Sequence, residues 1–157
     1  MKSVNWIIKE HPYAYKENYF SPTLGAKTNA EKELNQIAAD CKHIALFDKK
    51  FSSSTLVNCL AAIVTCQGSV GLEYPCLGIP AILASDSYFG GLGFTIEPRT
   101  ESEYFSYLEN LKDTEKYKLS KEQIDKANVY NYITYKASQI AVPLLPNYKS
   151  SKGFDQK

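Results

Sequence analysis

Two short apolar runs separated by a glycine- and serine-containing turn constrain the fold of this chain more than any other feature. The runs are AAIVTC (residues 61–66) and PAILA (residues 80–84), and both are uncharged and short enough to be buried parallel strands. Between them, QGSVG (residues 67–71) follows the first run and opens a helix. Backbone N–H groups at a helix start favour an anion, and open α/β sheets bind ligands at the carboxyl ends of their strands. The segment therefore predicts an anion site.

The residues after this turn predict an irregular helix with an uncommitted carboxylate. If Ser69 is the N-cap, a capping box needs Glu or Gln at position 72, but Leu72 stands there and Glu73 follows one residue later. Glu73 is therefore free for another role. Pro75 removes one backbone hydrogen bond and crowds the preceding turn, so we expect a kink.

Length and charge indicate a globular domain without a nucleic-acid surface. The chain has 157 residues, enough for one domain with a sizeable core. We expect that domain to span residues 1–148, followed by a flexible polar tail at 149–157. The 18 basic and 17 acidic residues leave a formal charge of +1, which argues against a nucleic-acid partner.

The cysteine pattern favours reduced thiols in a cytoplasmic chain. Cys41, Cys59, Cys66 and Cys76 form no C-x-x-C pair, and only two histidines accompany them, so we expect no metal site and no cofactor. Three of the four lie in or beside apolar segments, which is typical of core thiols. No run approaches the ~18 apolar residues of a membrane span, and we expect a cytoplasmic location.

Strand and helix patterns alternate along the chain. Predicted strands cover residues 4–9, 43–48, 61–66, 80–84 and 94–97, and predicted helices cover residues 28–40, 55–60, 100–111 and 121–140. This alternation predicts an α/β fold with right-handed crossovers. We expect a Rossmann-like, three-layer α/β/α domain with a mainly parallel sheet of about five strands.

Each candidate binding residue also has a purely structural interpretation. His11 follows Lys9 at the end of the first predicted strand and either contacts a phosphate or hydrogen-bonds the loop backbone. Gly68 and Gly71 serve either a phosphate or close packing of helix on strand. Glu73 either accepts from a ribose diol or is solvated.

Two further segments leave similar alternatives open. Ser52, Ser53 and Ser54 either contact phosphate or cap the helix that begins at Thr55. The glycine-rich stretch at residues 88–93 is either a mobile lid or a connector.

Three motifs in this order resemble a known family. KEHP (residues 9–12), GSVGLE (68–73) and GIPAI (78–82) resemble the carboxyl-terminal half of the capsule polysaccharide biosynthesis glycosyltransferases, which include the bacterial Kdo transferases. The similarity covers residues 4 to about 111. The His-Pro pair also resembles the motif of bacterial sialyltransferases and polysialyltransferases, and a more distant likeness is to the CDP-glycerol phosphotransferases. The resemblance implies one half of a GT-B fold, the half that binds the nucleotide-sugar donor.

The family resemblance also implies roles for individual residues. It implies that His11, with Lys9, contacts the donor phosphate, and that Ser69 and the amides of Gly68, Val70 and Gly71 hold phosphate at the helix start. By the same resemblance Glu73 holds the ribose or fixes the loop, and Ser53 or Ser54 is the serine element of the CMP-sugar enzymes.

The resemblance predicts a donor-binding domain for surface polysaccharide assembly. The expected donor is a CMP-activated acidic sugar such as CMP-Kdo, and the expected acceptor is a saccharide or glycolipid. Family members carry the catalytic base in an amino-terminal acceptor domain that this chain is expected to lack. We therefore expect no turnover without an acceptor domain in cis or in trans, and work at the inner face of the cytoplasmic membrane.

Three alternative functions stay open at this point. In place of a glycosyltransferase donor domain, the chain is a domain like that of the nucleotide-sugar epimerases, a CDP-glycerol transferase-like domain, or a non-catalytic Rossmann-like interaction module.

Overall fold

The structure, a computed structural model, describes residues 4–9, 26–48 and 51–138. It divides into two compact units. The first comprises Met1–Cys59 and Leu108–Lys112, and the second comprises Leu60–Tyr107 and Asp113–Lys157.

A pair of short parallel strands forms the sheet of the first unit. Strand β1 is Trp6–Ile8 and strand β2 is Ile44–Leu46, with Ile7 level with Ala45. Helix α1, Ala26–Asp40, lies between them in the chain and begins two residues before its predicted start. Parallel neighbours require such a crossover, because a tight turn reverses the chain direction.

A second parallel pair forms the sheet of the second unit. Strand β3 is Ile63–Thr65 and strand β4 is Ala81–Leu83, with Val64 level with Ile82. All three residues of β4 are buried, as expected for a strand with neighbours on both sides. Its second neighbour is the segment around Ile96, which makes an isolated parallel bridge with Ile82.

The connection between β3 and β4 contains the predicted kink. Helix α2 is only Val70–Glu73 and is followed by a 3₁₀ turn at Pro75–Leu77. Pro75 has no N–H to donate to the carbonyl of Gly71, so the α-helical pattern stops. Gly78 closes the turn with a φ of 80°, a left-handed conformation that favours glycine.

Two longer helices follow in the chain. Helix α3 is Glu101–Asn110, and the Thr100 hydroxyl accepts from the Glu103 N–H at 3.1 Å. Helix α4 is Lys121–Tyr132, and Ser120 with Gln123 forms a complete capping box at its start. The helix then widens into a π-helical turn at Ile133–Ala137.

The core of the second unit lies between its sheet and helix α4. Leu72, Leu83, Phe89, Phe94 and Ala127 form one buried cluster, against which Cys76 and Tyr130 pack. The four cysteines are free thiols, but Cys59 and Cys66 are exposed, so their prediction as core residues is wrong. Cys66 lies beyond the last residue of β3, where the ladder no longer covers it.

The predicted α/β class with parallel strands is confirmed. The described residues form two strand pairs and no five-stranded sheet. Each ladder is three residues long, and the segment at 94–97 contributes only a bridge. Among these residues, no helix is long and apolar enough to cross a membrane. The predicted tail at 149–157 lies outside the described residues.

Candidate functional site

A sharp turn links the carboxyl end of β3 to helix α2. The Gly68 N–H donates to the Thr65 hydroxyl at 3.3 Å, and the Gly71 N–H donates to the Gly68 carbonyl at 2.9 Å. The Ser69 carbonyl accepts from the N–H groups of both Leu72 and Glu73 at 2.9 Å. The turn is therefore held by its own backbone and by one side chain of the strand before it.

This turn leaves three adjacent polar groups without a partner among the described residues. Within the described part of the chain, neither the Ser69 N–H nor the Val70 N–H has a hydrogen-bond acceptor. Ser69 already has helical backbone angles, φ −55° and ψ −23°, and its hydroxyl makes no capping bond. Because Ser69 is exposed, these groups are available to a ligand.

Packing alone accounts for both glycines of the turn. A Cβ at Gly71 would lie 2.6 Å from the Phe89 ring and 3.0 Å from Thr65 Cγ2, and a Cβ at Gly68 would lie 2.8 Å from Thr65 Oγ1. Real Cβ atoms do not approach so closely. The close-packing interpretation of these glycines is thus sufficient, and the exposed donors belong to Ser69 and Val70.

The Glu73 side chain is partly buried, and its carboxylate makes no hydrogen bond or ion pair with any described residue. It is nevertheless close enough to Cys76 and Tyr88 to affect both. Burial raises the pKa of the Cys76 thiol to about 11, and the Glu73 charge adds to that rise. Burial likewise raises the pKa of Tyr88 far above its usual range, with smaller contributions from Tyr135 and Glu73. Because its carboxylate has no partner among the described residues, Glu73 can accept hydrogen bonds from a ligand.

The glycine-rich loop next to this turn is firmly anchored, contrary to the interpretation of a mobile lid. Phe89 is fully buried, and the Tyr130 hydroxyl donates to the Tyr88 carbonyl at 2.8 Å. The Gly91 N–H donates to both carboxylate oxygens of Glu97, at 2.8 and 2.9 Å. The Gln67 side chain donates to the Asp86 carbonyl at 3.1 Å, two residues before this loop begins.

Glu97 is a loop-anchoring carboxylate that the sequence analysis missed. It also accepts from the Thr95 hydroxyl at 2.7 Å. A loop rich in glycine exposes N–H groups that need acceptors, so the acid following residues 88–93 was the available signal.

The serine element predicted at Ser53 and Ser54 lies in the first unit, in a 3₁₀ turn at Ser53–Leu56. Its cap is Ser52, whose hydroxyl accepts from the Ser54 N–H at 3.3 Å and lies 2.8 Å from the Ser54 hydroxyl. The capping interpretation therefore accounts for this cluster.

Lys9, another predicted residue, also belongs to the first unit. Lys9 is exposed and directly follows strand β1. His11 lies outside the described residues. The structure thus places Gly68, Ser69, Val70, Gly71 and Glu73 together on one turn of the second unit, while Lys9, Ser53 and Ser54 belong to the other unit.

Among the described residues, no group of three or more histidine, cysteine or acidic side chains is arranged to hold a metal ion. Comparisons with protein-family models, curated protein sequences and solved structures found no match to this chain. The case for a function therefore rests on the turn itself and on the motifs quoted above.

Proposed function

We propose that this chain is the donor-nucleotide-binding domain of a glycosyltransferase that assembles capsule or other surface polysaccharide. The domain is the Rossmann-like donor half of a GT-B enzyme, and its donor is a CMP-activated acidic sugar such as CMP-Kdo. It acts on a saccharide or glycolipid acceptor together with an acceptor domain, in the cytoplasm at the inner face of the membrane.

The observation that carries this proposal is the set of unpaired donors at the start of helix α2. Two consecutive N–H groups, from Ser69 and Val70, and one exposed hydroxyl have no acceptor among the described residues. A phosphate oxygen accepts from such a set, and the orientation of the peptide dipoles favours its negative charge. The position after a parallel strand is also the usual ligand edge in α/β domains.

Glu73 supports a nucleotide over a free phosphate. It lies four residues after Ser69, about 6 Å along the helix axis, and its carboxylate is unpaired within the described part of the chain. A carboxylate repels phosphate but accepts hydrogen bonds from vicinal hydroxyls, as an acid does for the ribose in dinucleotide folds. Donors at one end of the turn and an acceptor at the other suit a ligand with a phosphate and a ribose diol.

The chemical role of the turn is to stabilise the departing nucleotide. When the bond between the sugar and the phosphate oxygen breaks, negative charge develops on the leaving phosphate. Fixed N–H donors stabilise that charge without rearranging. The resemblance assigns phosphate contacts to His11 and Lys9 as well, and His11 is tested separately. The acceptor domain supplies the base that activates the acceptor hydroxyl.

Calorimetric titration of the full chain with CMP, CDP, UDP and GDP tests the proposal. We expect saturable binding that favours CMP. Ser69→Ala removes one hydroxyl contact and should weaken binding about three- to tenfold. Ser69→Pro also removes the N–H, and it should weaken binding further. Proline fits this position because the φ of Ser69 is −55° and because its N–H makes no bond within the described protein.

Ser102→Ala is the matched control, since Ser102 is also an exposed serine and belongs to helix α3 instead of the turn. It should leave binding unchanged. His11→Ala should weaken CMP binding independently if the residue contacts the phosphate. Preference for UDP would move the assignment towards the epimerases. Nucleotide binding that is insensitive to Ser69→Pro, or the absence of any binding, would overturn the turn as the donor site.

A further inference from the structure

Two tyrosine hydroxyls meet where the anchored loop packs against the end of helix α4. The hydroxyl oxygens of Tyr88 and Tyr135 lie 3.1 Å apart, so one of them donates its hydrogen to the other. The accepting hydroxyl keeps its own hydrogen, for which the described residues provide no acceptor. Both side chains reach solvent, with exposed fractions of 54% and 36%. The pair therefore offers one O–H donor to a ligand.

The backbone holds this pair in place from both sides. The Tyr130 hydroxyl fixes the loop side by donating to the Tyr88 carbonyl at 2.8 Å. On the helix side, Tyr135 belongs to the π-helical turn at Ile133–Ala137. Such turns are rare and are frequently found at functional sites, where they re-aim a side chain.

Two buried polar atoms in the same segments lack partners. Ser87 precedes Tyr88 in the loop, and Asn131 follows Tyr130 in helix α4. The Ser87 Oγ and the Asn131 Oδ1 are buried and make no hydrogen bond with any described residue. Because buried polar atoms in proteins rarely lack a partner, they point to a bound polar molecule near the tyrosine pair.

The Glu73 carboxylate lies on the side of helix α2 that faces this pair. Cys76 follows Glu73 by one helical turn, and it packs on the same buried cluster as Tyr130. The Phe89 ring lies against the backbone of helix α2 and edge-on to the Tyr88 ring, with a centroid distance of 4.8 Å. The Glu73 charge also contributes to the raised pKa of Tyr88. No hydrogen bond joins the carboxylate to either hydroxyl of the pair, so both remain available to one ligand.

We propose that Glu73, Tyr88 and Tyr135 form the ribose subsite of the nucleotide site, an inference that rests on the function proposed above. A ribose hydroxyl donates one hydrogen bond and also accepts. The carboxylate accepts from the ribose O–H, and the free tyrosine O–H donates to a ribose oxygen. A phosphate at this position would be repelled by the carboxylate, and an ammonium group has no lone pair to accept from the tyrosine. The subsite therefore selects a nucleotide that carries ribose hydroxyls.

Calorimetric titration of the full chain with CMP and with dideoxy-CMP, which lacks both ribose hydroxyls, tests the subsite. We expect CMP to bind at least about tenfold more tightly than dideoxy-CMP. Tyr88→Phe and Tyr135→Phe each break the hydroxyl pair but keep the ring, and at least one of them should lower this preference about three- to tenfold. The variant with the larger effect identifies the tyrosine that donates to the ribose. Glu73→Gln should also lower the preference, because an amide replaces the charged acceptor.

Tyr132→Phe is the matched control, because Tyr132 is 63% exposed on helix α4 and is not part of the hydroxyl pair. It should leave the preference unchanged. Circular dichroism and an unchanged affinity for dideoxy-CMP check that each variant keeps its fold and its phosphate contacts. Equal binding of CMP and dideoxy-CMP by the parent chain, or an unaltered preference in both variants of the pair, would overturn the subsite while leaving nucleotide binding at Ser69 in place. The absence of any CMP binding would overturn both the subsite and the proposed function.

Discussion

The two units of this chain contain the same kind of element, a short parallel strand pair, but bury it to different extents. In the second unit all three residues of β4 are buried, and five side chains form a continuous core. In the first unit, β1 and β2 both follow an intermediate, exposed, intermediate pattern. Its buried apolar side chains among the described residues are Leu108 and Leu111, which come from the separate segment Leu108–Lys112.

The difference teaches that strand pairing alone does not create a core. Three residue pairs provide few hydrogen bonds, and each contributes only about 1 kcal/mol net. The second unit adds the rings of Phe89 and Phe94, both fully buried, from a loop instead of a regular element. Its cohesion therefore comes from loop aromatics packed between strand and helix.

The largest expected effect compares one phenylalanine from each unit. Phe89→Ala removes a fully buried ring and should lower the free energy of unfolding by about 3–5 kcal/mol. Phe51→Ala in the first unit removes a ring that is 61% exposed and should cost less than about 0.5 kcal/mol. Urea denaturation of the two variants measures both values. Similar losses of unfolding free energy in the two variants would contradict this difference between the units, because they would mean that Phe51 is as well packed as Phe89.

A second expected effect concerns the contact between Gly71 and Phe89. Gly71→Ala forces a methyl group against the Phe89 ring and should destabilise the chain by about 1–3 kcal/mol. Phe89→Leu in the same chain should relieve part of that loss, giving a favourable coupling in a double-mutant cycle. Additive effects of the two substitutions would show that the methyl group is accommodated elsewhere.

The smallest expected effect concerns the cysteines of the two units. Burial, with a contribution from Glu73, raises the pKa of Cys76 to about 11, and the Cys76 thiol donates to the Leu72 carbonyl at 3.3 Å. Iodoacetamide at pH 8.5 should therefore modify Cys76 at least about tenfold more slowly than the exposed Cys59 of the first unit. Peptide mass spectrometry follows each rate, and in urea the two rates should converge. Equal rates in the folded chain would contradict the burial of Cys76.

The same raised pKa predicts a loss of stability at alkaline pH. The unfolded thiol loses its proton near pH 9, while the folded thiol keeps it until about pH 11. The contribution of Cys76 is thus complete below pH 9 and declines as pH rises through this window. Cys76→Ala should show a shallower decline than the parent chain in urea denaturation at pH 8 to 11.

Local residue patterns in the sequence predicted many of the strands and helix ends. Apolar runs located the four strands of the described residues within one or two residues at each end, and Pro75 predicted the break after helix α2. Ser120 predicted the start of helix α4 because its hydroxyl is an N-cap. The change to a π-helical turn at Ile133–Ala137 was not predicted, because that segment contains no glycine or proline.

Tertiary contacts explain what the sequence did not reveal. The Gly68–Gly71 turn was predicted at the end of a strand, but the reason for Gly71 is the Phe89 ring, which lies 18 residues further along the chain. The anchoring of the loop by Glu97 was also missed: an acid after a glycine-rich stretch signals an acceptor for the loop N–H groups, but it does not show that Gly91 is the donor. Cys66 was predicted to be buried because it ends the apolar run at residues 61–66. The paired residues of β3 stop at Thr65, and Cys66 is exposed.

The contact between Gly71 and Phe89 also has an evolutionary consequence. The missing side chain at position 71 and the ring at position 89 occupy one shared volume. In chains that descend from a common ancestor, the two positions are therefore expected to change together, with a larger residue at 71 accompanied by a smaller one at 89. Position 69 carries no such constraint from Phe89, so its variation among relatives would follow the ligand instead of the core.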